Sequence, residues 1–372
     1  MSDRPTRRYG LFETRLPSPA GVPVRIAGFE GVRLSIAQAE GSLAAAADRL
    51  ALPRSPIADA PFNILAISGG AAGGAFGAGV LVGLTQAGAR PKFAIVTGVS
   101  TGALMAPFAF LGSDWNDRLT DAYVGGHAAE LMSFSRLAPA FGAGVFQATA
   151  LEQLIDPFID ASLVAAVARE HALGRRLLVA TTDLDNQTAN IWDMGEIASQ
   201  GGDRALTLFR DVLVASASLP GLFPPRRFPC EADGVDYEEM HVDGGVATPL
   251  FVMPEALAHW RQLGQRMQGG RVYAIVNTVL EQAPRTTPLN LAAILIRSFD
   301  TMLRFSYRHA LGAAASFCAA NDLPFSYAAI PDAAENGNML SFDTPSMRRI
   351  FDAGVAQAQG PDLWTTPGDG AG

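Results

Sequence analysis

The serine of a Gly-Val-Ser-Thr-Gly pentapeptide, Ser100, lies between Gly98 and Gly102 at the junction of two different sequence patterns. The largely apolar run Phe93–Thr97 is typical of a buried strand, and Ala103–Phe110 is typical of the start of a helix. A serine at such a strand-to-helix turn holds its Oγ outward, and the flanking glycines remove side chains that would collide with neighbouring elements. The pattern therefore predicts Ser100 as a nucleophile.

Composition limits the classes of protein to which the chain can belong. Its 372 residues, 49% of them hydrophobic and 17% charged, are enough for a globular α/β domain with a sizeable core. A net charge of −8 argues against a nucleic-acid-binding protein, which should carry a basic face. The two cysteines, Cys230 and Cys318, have no Cys-x-x-Cys spacing, and free thiols are the expectation. We predict neither a metal site nor a cofactor.

Two uncharged windows, residues 63–89 and 93–113, are long enough to cross a bilayer. Glycine clusters and hydroxyl residues interrupt both windows, and each divides into a short strand, a tight turn and a helix. Buried parallel strands have the same uninterrupted apolar character, so we predict no transmembrane helix. The first residues show no secretory signal. The expected location is cytoplasmic, with peripheral membrane association left open.

The chain divides into three predicted segments. Residues 1–60 are expected to form a partly helical extension, with a helix over Ser35–Leu52. Residues 61–335 are expected to form one α/β domain in which strands, glycine-rich turns and helices alternate, a pattern typical of parallel strands joined by crossovers. Residues 336–372 form a C-terminal segment with a disordered tail, expected to fray from Gly360.

Within residues 61–335 the predicted elements are short and well separated. The predicted strands are Asn63–Ile67, Phe93–Thr97, Arg175–Thr182, Thr188–Met194, Glu239–Val242, Arg271–Asn277 and Pro324–Ile330, and the predicted helices include Ala75–Gln86, Asp203–Ser216 and Leu289–Ala320.

A glycine-rich turn, Ser68–Gly74, follows the first of these strands and opens a helix. Backbone N–H groups at a helix N-terminus can bind an anion. The turn lacks the Gly-Lys-Ser/Thr of a phosphate-binding loop and the register of a dinucleotide fold. It can instead form an oxyanion hole, because the next strand carries Ser100. Close strand–helix packing is the alternative explanation for its glycines.

Asp243 ends a predicted strand and is followed by Gly244 and Gly245. At the carboxyl edge of a sheet its carboxylate could accept the proton of a serine. A plain Asx-turn is the competing interpretation. None of the five histidines lies in a late loop that would complete a Ser–Asp–His order, which favours a Ser–Asp pair: His127, His171, His241, His259 and His309.

Taken together, these motifs resemble the patatin-like phospholipase family. Ser68–Gly74 resembles its oxyanion loop, Gly98–Gly102 its nucleophile turn, and Asp243–Gly245 its Asp-Gly-Gly motif. Ala215–Pro225 and Arg175–Met194 are similar to family members as well. The resemblance covers about residues 63–254 and implies that residues 61–335 are a patatin-like catalytic domain.

The resemblance implies a three-layer α/β/α fold with a mostly parallel central sheet. It also implies a serine lipid acyl hydrolase that needs no cofactor and acts on a lipid or another acyl ester. The implied site consists of the catalytic dyad Ser100 and Asp243, the oxyanion-hole residues Gly69, Gly70 and Ala71, and the supporting glycines Gly74, Gly98, Gly102, Gly244 and Gly245.

The oxyanion loop departs from the family pattern at two positions. Ala71 stands at the third glycine, where a positive φ would cost an alanine about 1 kcal/mol, and Gly73 stands where a basic residue is usual. Two alternatives to the hydrolase follow: an acyltransferase that uses the same dyad, and a catalytically weak lipid-binding relative.

Overall fold

The computed structural model describes residues 17–19, 24–35, 63–134, 146, 149–252, 270–281, 284, 286–334 and 340–366. Within these residues the strands are β1 (Arg25–Ile26), β2 (Arg33–Ser35), β3 (Asn63–Ile67), β4 (Ile95–Val99), β5 (Arg176–Asp183), β6 (Thr188–Asp193), β7 (Arg226–Ala232), β8 (Val235–Asp243), β9 (Arg271–Val276) and β10 (Phe325–Ala329). The α-helices are α1 (Gly74–Gln86), α2 (Thr101–Leu111), α3 (Asn116–Val124), α4 (His127–Phe134), α5 (Ala150–Ile155), α6 (Ala161–Ala172), α7 (Met194–Gln200), α8 (Gly202–Ala217), α9 (Leu291–Ala320) and α10 (Thr344–Gln359).

All ten strands belong to one sheet whose centre is parallel. The strands β5, β4, β3, β9 and β10 lie side by side in that order, and each neighbouring pair is parallel. The remaining strands attach in antiparallel fashion beyond β5. The predicted α/β fold with a parallel central sheet is confirmed, with an antiparallel extension on one side.

The two faces of the sheet bury separate apolar cores, which gives the predicted three layers. On β3, Leu65 and Ile67 join the larger core, while Ile64 and Ala66 join the smaller one. This alternation follows from the two-residue period of a strand. Helices α1, α2, α6, α8 and α10 contribute to the larger core, and the C-terminal half of α9 contributes to the smaller one.

Strands β4 and β8 share one edge of β5. Strand β4 pairs with β5 as far as Val99 opposite Ala180, and β8 begins its pairing one residue further, with Asp243 opposite Thr181. Because β6 occupies the other edge of β5 over these residues, β4 and β8 must lie end to end along the same edge. Their carboxyl ends therefore meet beside β5.

Several boundaries differ from those predicted. Strand β8 begins at Val235, because residues 235–241 pair with β7 in a hairpin that the sequence pattern did not reveal. Its last three residues, His241 to Asp243, pair in antiparallel fashion with β5. Of the predicted N-terminal helix, only Ser35 is described, and it ends β2; the remainder lies outside the described residues. Thr365 exchanges backbone hydrogen bonds with Tyr327, so the tail is held to the sheet there. Residues 367–372 lie outside the described residues.

Helix α10, which was not predicted, packs closely against α1 through glycines on both helices. A Cβ on Gly79 would lie 2.0 Å from the carbonyl oxygen of Phe351, and a Cβ on Gly354 would lie 2.3 Å from that of Phe76. Such distances leave no room for a side chain at these crossings. The C-terminal segment therefore fixes the position of α1, which begins at the glycine-rich turn.

We predict that Gly79→Ala lowers the free energy of unfolding by about 1–3 kcal/mol, because the added methyl must displace the backbone of α10. Gly312→Ala is the matched control, since it adds the same methyl to a helix at a position with nothing within 4 Å. That control should gain about 0.5–1 kcal/mol from helix propensity. Urea unfolding of both variants tests this, and equal gains for the two would contradict the proposed close contact.

Candidate active site

Ser100 occupies a strained turn between β4 and α2. Its φ of 55° and ψ of −128° are unfavourable for a residue with a side chain, and such backbone strain concentrates at functional sites. A Cβ on Gly98 would lie 2.6 Å from the carbonyl oxygen of Gly102, and one on Gly102 would lie 2.5 Å from those of Ile67 and Ser68. The two glycines therefore permit the turn, as their spacing predicted.

The backbone of this turn is held by a serine that the sequence analysis did not single out. The N–H of Ser100 donates to the Oγ of Ser216 at 3.0 Å, and that hydroxyl donates to the carbonyl oxygen of Ala180 at 2.7 Å. Ser216 is fully buried near the end of α8. It links the nucleophile turn to β5, and only its place within the family-like Ala215–Pro225 stretch pointed to it.

Asp243 contacts Ser100 directly. The Oγ of Ser100 donates to Oδ2 of Asp243 at 2.6 Å, although 143 positions separate the two residues in the chain. The other carboxylate oxygen, Oδ1, accepts from the N–H of Gly245 at 2.7 Å. The competing interpretation of an Asx-turn is thus also correct, since one oxygen closes the turn and the other faces the serine.

Burial raises the pKa of Asp243 to about 6, and the hydrogen bonds from Ser100 and Gly245 partly oppose that rise. A buried carboxylate loses hydration that two hydrogen bonds do not fully replace. With a pKa near 6 the group is mostly ionised at neutral pH but remains a better proton acceptor than an exposed aspartate. Such a value suits a general base.

The backbone of the glycine-rich turn lies close to Ser100. Gly70 has a φ of 147°, and a Cβ there would lie 2.0 Å from the carbonyl oxygen of Asn277. Ala71 has a φ of 50°. The alanine therefore adopts the positive φ for which the sequence analysis gave a cost of about 1 kcal/mol. Among the described residues, the N–H groups of Gly70 and Ala71 have no acceptor.

Gly69 does not fit the predicted oxyanion role. Its N–H donates to the carbonyl oxygen of Pro249 at 3.2 Å and is therefore engaged. The residue matters through its missing side chain instead, because a Cβ would lie 3.1 Å from that of Ser100 and 3.0 Å from the hydroxyl of Tyr307. Of the three predicted donors, only the N–H groups of Gly70 and Ala71 lack an acceptor among the described residues.

Asn277, at the end of β9, organises this turn and was missed by the sequence analysis. Its Nδ2 donates to the carbonyl oxygen of Ser68 at 2.9 Å, and its N–H donates to the Oγ of Ser68 at the same distance. Its Oδ1 accepts from the N–H of Gly77 at 3.1 Å. A Cβ on Gly73 would lie 2.2 Å from the Asn277 carbonyl oxygen, so no basic residue fits at that position.

The remaining motif glycines allow close approach of backbone and side chains. A Cβ on Gly74 would lie 2.1 Å from Oγ1 of Thr101, which brings the N-termini of α1 and α2 together. A Cβ on Gly244 would lie 2.3 Å from the carbonyl oxygen of Ala180, and one on Gly245 would lie 3.0 Å from Oδ1 of Asp243. Both helix N-termini therefore lie beside Ser100, where their dipoles favour negative charge.

Ser100, Asp243, Gly70 and Ala71 line a common pocket whose walls are mainly apolar. The apolar side chains come from α2, α5, α9, α10 and the loops between them: Leu104, Phe108, Leu151, Leu154, Ile155, Phe158, Ile159, Leu219, Leu222, Phe223, Phe299, Leu303, Phe342 and Met347. Tyr307 also lines it, and burial and the nearby charge of Asp243 raise the pKa of its phenol. The pocket suits a long apolar group that ends at a reactive carbonyl.

A buried cluster of Asp183, Glu239 and His241 has the residue types of a metal site. Its polar atoms already have partners, since Arg33 forms an ion pair with Glu239, and His241 contacts both Glu239 and Thr181. Asn186 donates to Asp183 at 2.9 Å. The cluster is an internal hydrogen-bond network, and a cation there would have to displace Arg33.

The described residues that line the pocket include no histidine. His127 and His171 lie near acidic side chains elsewhere, His309 is exposed, and His241 is fully buried in the network described above. His259 lies outside the described residues. Cys230 and Cys318 are free and buried, in agreement with the expectation from their spacing.

We predict that Asp243→Asn stabilises the fold at pH 8 by about 1–3 kcal/mol, because it removes a buried charge. The pKa of Asp243 is about 6 in the folded state and 3.8 in the unfolded state. The ionised carboxylate therefore destabilises the fold fully above pH 6 and progressively less as the pH falls. At pH 4 the gain should shrink below about 1 kcal/mol. Urea unfolding at both pH values measures it, with exposed Asp114→Asn as the control. A gain independent of pH would contradict the raised pKa.

No helix among the described residues is long and apolar enough to cross a membrane, as predicted.

A family model described as patatin-like phospholipase matches residues 65–254, just over half of the 372-residue chain. A search of curated proteins returned no match. Among solved structures, VipD from Legionella pneumophila is similar with a TM-score of 0.36 and 12% identity. That match covers 81% of this chain and 66% of VipD, just under two thirds of its length. On the family match, the chain belongs to the patatin-like phospholipase family.

Proposed function

We propose that the protein is a serine lipid acyl hydrolase of the phospholipase A, lysophospholipase or carboxylesterase type. Family membership supports lipid acyl hydrolysis in general, and the site geometry supports a specific dyad. The single observation that carries the proposal is the 2.6 Å hydrogen bond from Ser100 Oγ to Asp243 Oδ2 at the end of an apolar pocket. An activated serine beside an acyl-chain pocket is what ester cleavage requires.

In the first half of the proposed reaction, Ser100 Oγ attacks the ester carbonyl carbon while Asp243 accepts the hydroxyl proton. The tetrahedral intermediate collapses, and its C–O bond to the alcohol breaks as Asp243 returns the proton to the leaving oxygen. In the second half, Asp243 takes a proton from water as the water oxygen attacks the acyl carbon. The C–O bond to Ser100 then breaks as Asp243 returns the proton to Oγ, which releases the fatty acid and restores the serine. The raised pKa of Asp243 fits both directions of transfer.

The negative charge on the carbonyl oxygen needs donors that face the reacting carbon. The N–H groups of Gly70 and Ala71 have no acceptor among the described residues, and both residues line the pocket with Ser100. They are the proposed oxyanion hole, while Gly69 serves by leaving space. Removing one such donor typically costs about 3 kcal/mol of the barrier.

The acyl chain of the substrate is proposed to lie against the apolar pocket walls. Leu219, Leu222 and Phe223, which follow the family-like stretch after α8, form part of that wall together with residues of α2 and α5. The proposed partner is a lipid or other acyl ester reached by peripheral contact with a membrane. The reaction as written uses no nucleic acid, metal or cofactor.

An acyltransferase with the same dyad would follow the same first half-reaction and pass the acyl group to an alcohol. Analysis of products in the presence of an added acceptor alcohol distinguishes the two. Transfer exceeding release of fatty acid would replace the hydrolase proposal by the transferase.

The alternative that this protein is a catalytically weak lipid-binding relative is tested by a substitution in the oxyanion loop. Under that alternative, Ala71→Gly should raise turnover sharply, because it relieves a positive φ in the oxyanion loop. We expect less than about a fivefold change, since alanine retains the N–H and a strain of about 1 kcal/mol corresponds to about fivefold at most. Gly73→Arg is not a suitable test, because its side chain would collide with Asn277.

Labelling by a fluorophosphonate probe tests the dyad directly. We predict that the wild type is labelled, that Ser100→Ala abolishes labelling, and that Asp243→Asn slows it at least a hundredfold, because the base is lost while the hydrogen-bond geometry is kept. The labelling rate of the wild type should rise with pH around an apparent pKa of about 6.

The matched control is Ser199→Ala. It removes the hydroxyl of an exposed serine that donates to the carbonyl oxygen of Gly195 and does not line the pocket. It should label like the wild type. A folded wild type that resists the probe, or a Ser100→Ala variant that is still labelled, would refute the proposed nucleophile.

A further inference from the structure

The N-terminal half of α9, together with Leu289 two residues before it, exposes a concentration of large apolar side chains. Leu289 is 97% exposed, and Leu291, Met302 and Phe305 are each 65–74% exposed. Among the described side chains of this stretch, seven large apolar residues are exposed and are called the α9 face below: Leu289, Leu291, Ile294, Leu295, Phe299, Met302 and Phe305. Exposed apolar patches of this kind mark interaction surfaces.

These residues form one continuous face of the helix. Positions 291, 294, 295, 299, 302 and 305 are separated by steps of three and four, which places them in one stripe along an α-helix. The opposite side of the helix faces the protein and carries Asp300, Arg304 and Tyr307, all of them buried. This half of the helix thus buries the Asp300–Arg304 pair and exposes large apolar side chains, the reverse of an ordinary surface helix.

The inward charges are satisfied, so this orientation is stable. Arg304 donates to Asp300 at 3.1 Å and to the carbonyl oxygen of Val279, and Arg297 lies 3.4 Å from Asp300. The C-terminal half of the same helix packs normally, with Leu311, Ala314 and Cys318 in the smaller core. The outward apolar residues are therefore a property of the N-terminal half alone.

The α9 face is continuous with the pocket that contains the dyad. Phe299 is exposed and also lines the pocket, and Leu303 on the adjoining turn lines it as well. An apolar chain that leaves the pocket past Phe299 would therefore emerge onto the α9 face.

The exposed charge on this helix is cationic. Arg308 is exposed and Arg297 partly so, whereas the one acidic residue of α9, Asp300, is buried and paired. The chain as a whole has a net charge of −8, so this helix differs in sign from the rest. Cations beside an apolar face match the phosphates that border the acyl layer of a bilayer.

We propose that the α9 face docks on a phospholipid bilayer and delivers acyl chains from it into the pocket. This inference rests on the proposed function, and it names the surface through which the site meets its substrate. The helix would lie in the plane of the interface with Leu295, Met302 and Phe305 inserted among the acyl chains, and with Arg297 and Arg308 at the level of the phosphates.

The test compares two triple variants in vesicle co-sedimentation. The first is Leu295→Gln, Met302→Gln and Phe305→Gln on the α9 face, none of which lines the pocket. The control is Leu173→Gln, Leu184→Gln and Val235→Gln, which removes three exposed apolar side chains elsewhere. Both are measured with phosphatidylcholine vesicles, with and without phosphatidylglycerol, in the Ser100→Ala background, so that binding is read without turnover.

We expect the α9 triple to lose at least tenfold in vesicle partitioning while the control triple binds like its parent, and phosphatidylglycerol to strengthen parental binding. In the active background, the α9 triple should cleave vesicle phospholipid at least tenfold more slowly and a soluble short-chain ester at the parental rate. If the parent protein cleaves neither ester while the α9 triple still loses vesicle binding and the control triple does not, the proposed function fails and the docking proposal stands.

Three outcomes would overturn the docking proposal. They are a parent protein that does not bind vesicles, equal binding by the two triples, and a dimer in sedimentation velocity that only the α9 triple dissociates. The last result would assign the face to a second copy of this chain.

Discussion

The hydrogen bond between Ser100 Oγ and Asp243 Oδ2 depends on one constraint, the sharing of a single edge of β5 by β4 and β8. Because the two strands run toward each other along that edge, their carboxyl ends meet. Ser100 follows β4 and Asp243 ends β8, so that Ser100 Oγ lies 2.6 Å from Asp243 Oδ2. The register is fixed on the other edge by β6. A slip of one residue in β8 would turn the Asp243 side chain to the opposite face of the sheet.

The site combines several locally unfavourable features that the surrounding packing maintains. Ser100 and Ala71 have positive φ, and Asp243 carries a carboxylate in a buried setting. Two arginines, Arg90 and Arg175, donate to the last carbonyl groups of α2, and so neutralise the negative end of the helix that begins at Ser100. Packing of this kind holds the strained turn at Ser100 in place, as the proposed nucleophilic role requires.

The sequence identified what local patterns encode. Uninterrupted apolar runs with glycine turns predicted the parallel strands, and β3 agrees to the residue. Ser100 and Asp243 were predicted because each lies where a predicted strand ends within a distinctive motif, and their side chains lie within hydrogen-bond distance. Contacts made by distant segments were missed, since neither Asn277 nor Ser216 lies in a motif that predicts its contact. Gly69 was predicted as an oxyanion donor, but its N–H donates to the carbonyl oxygen of Pro249, 180 positions away. The sequence predicted a helix over Leu289–Ala320 but not that its N-terminal half exposes large apolar side chains.

The most direct test of the central claim is detection of the acyl-enzyme. The protein would be mixed with a p-nitrophenyl ester of a fatty acid, quenched in acid within milliseconds, digested and analysed by mass spectrometry. The dyad predicts a burst of nitrophenol stoichiometric with enzyme and the acyl mass on the peptide that contains Ser100. Steady ester hydrolysis with the acyl group on another residue, or undiminished hydrolysis by Ser100→Ala, would contradict it.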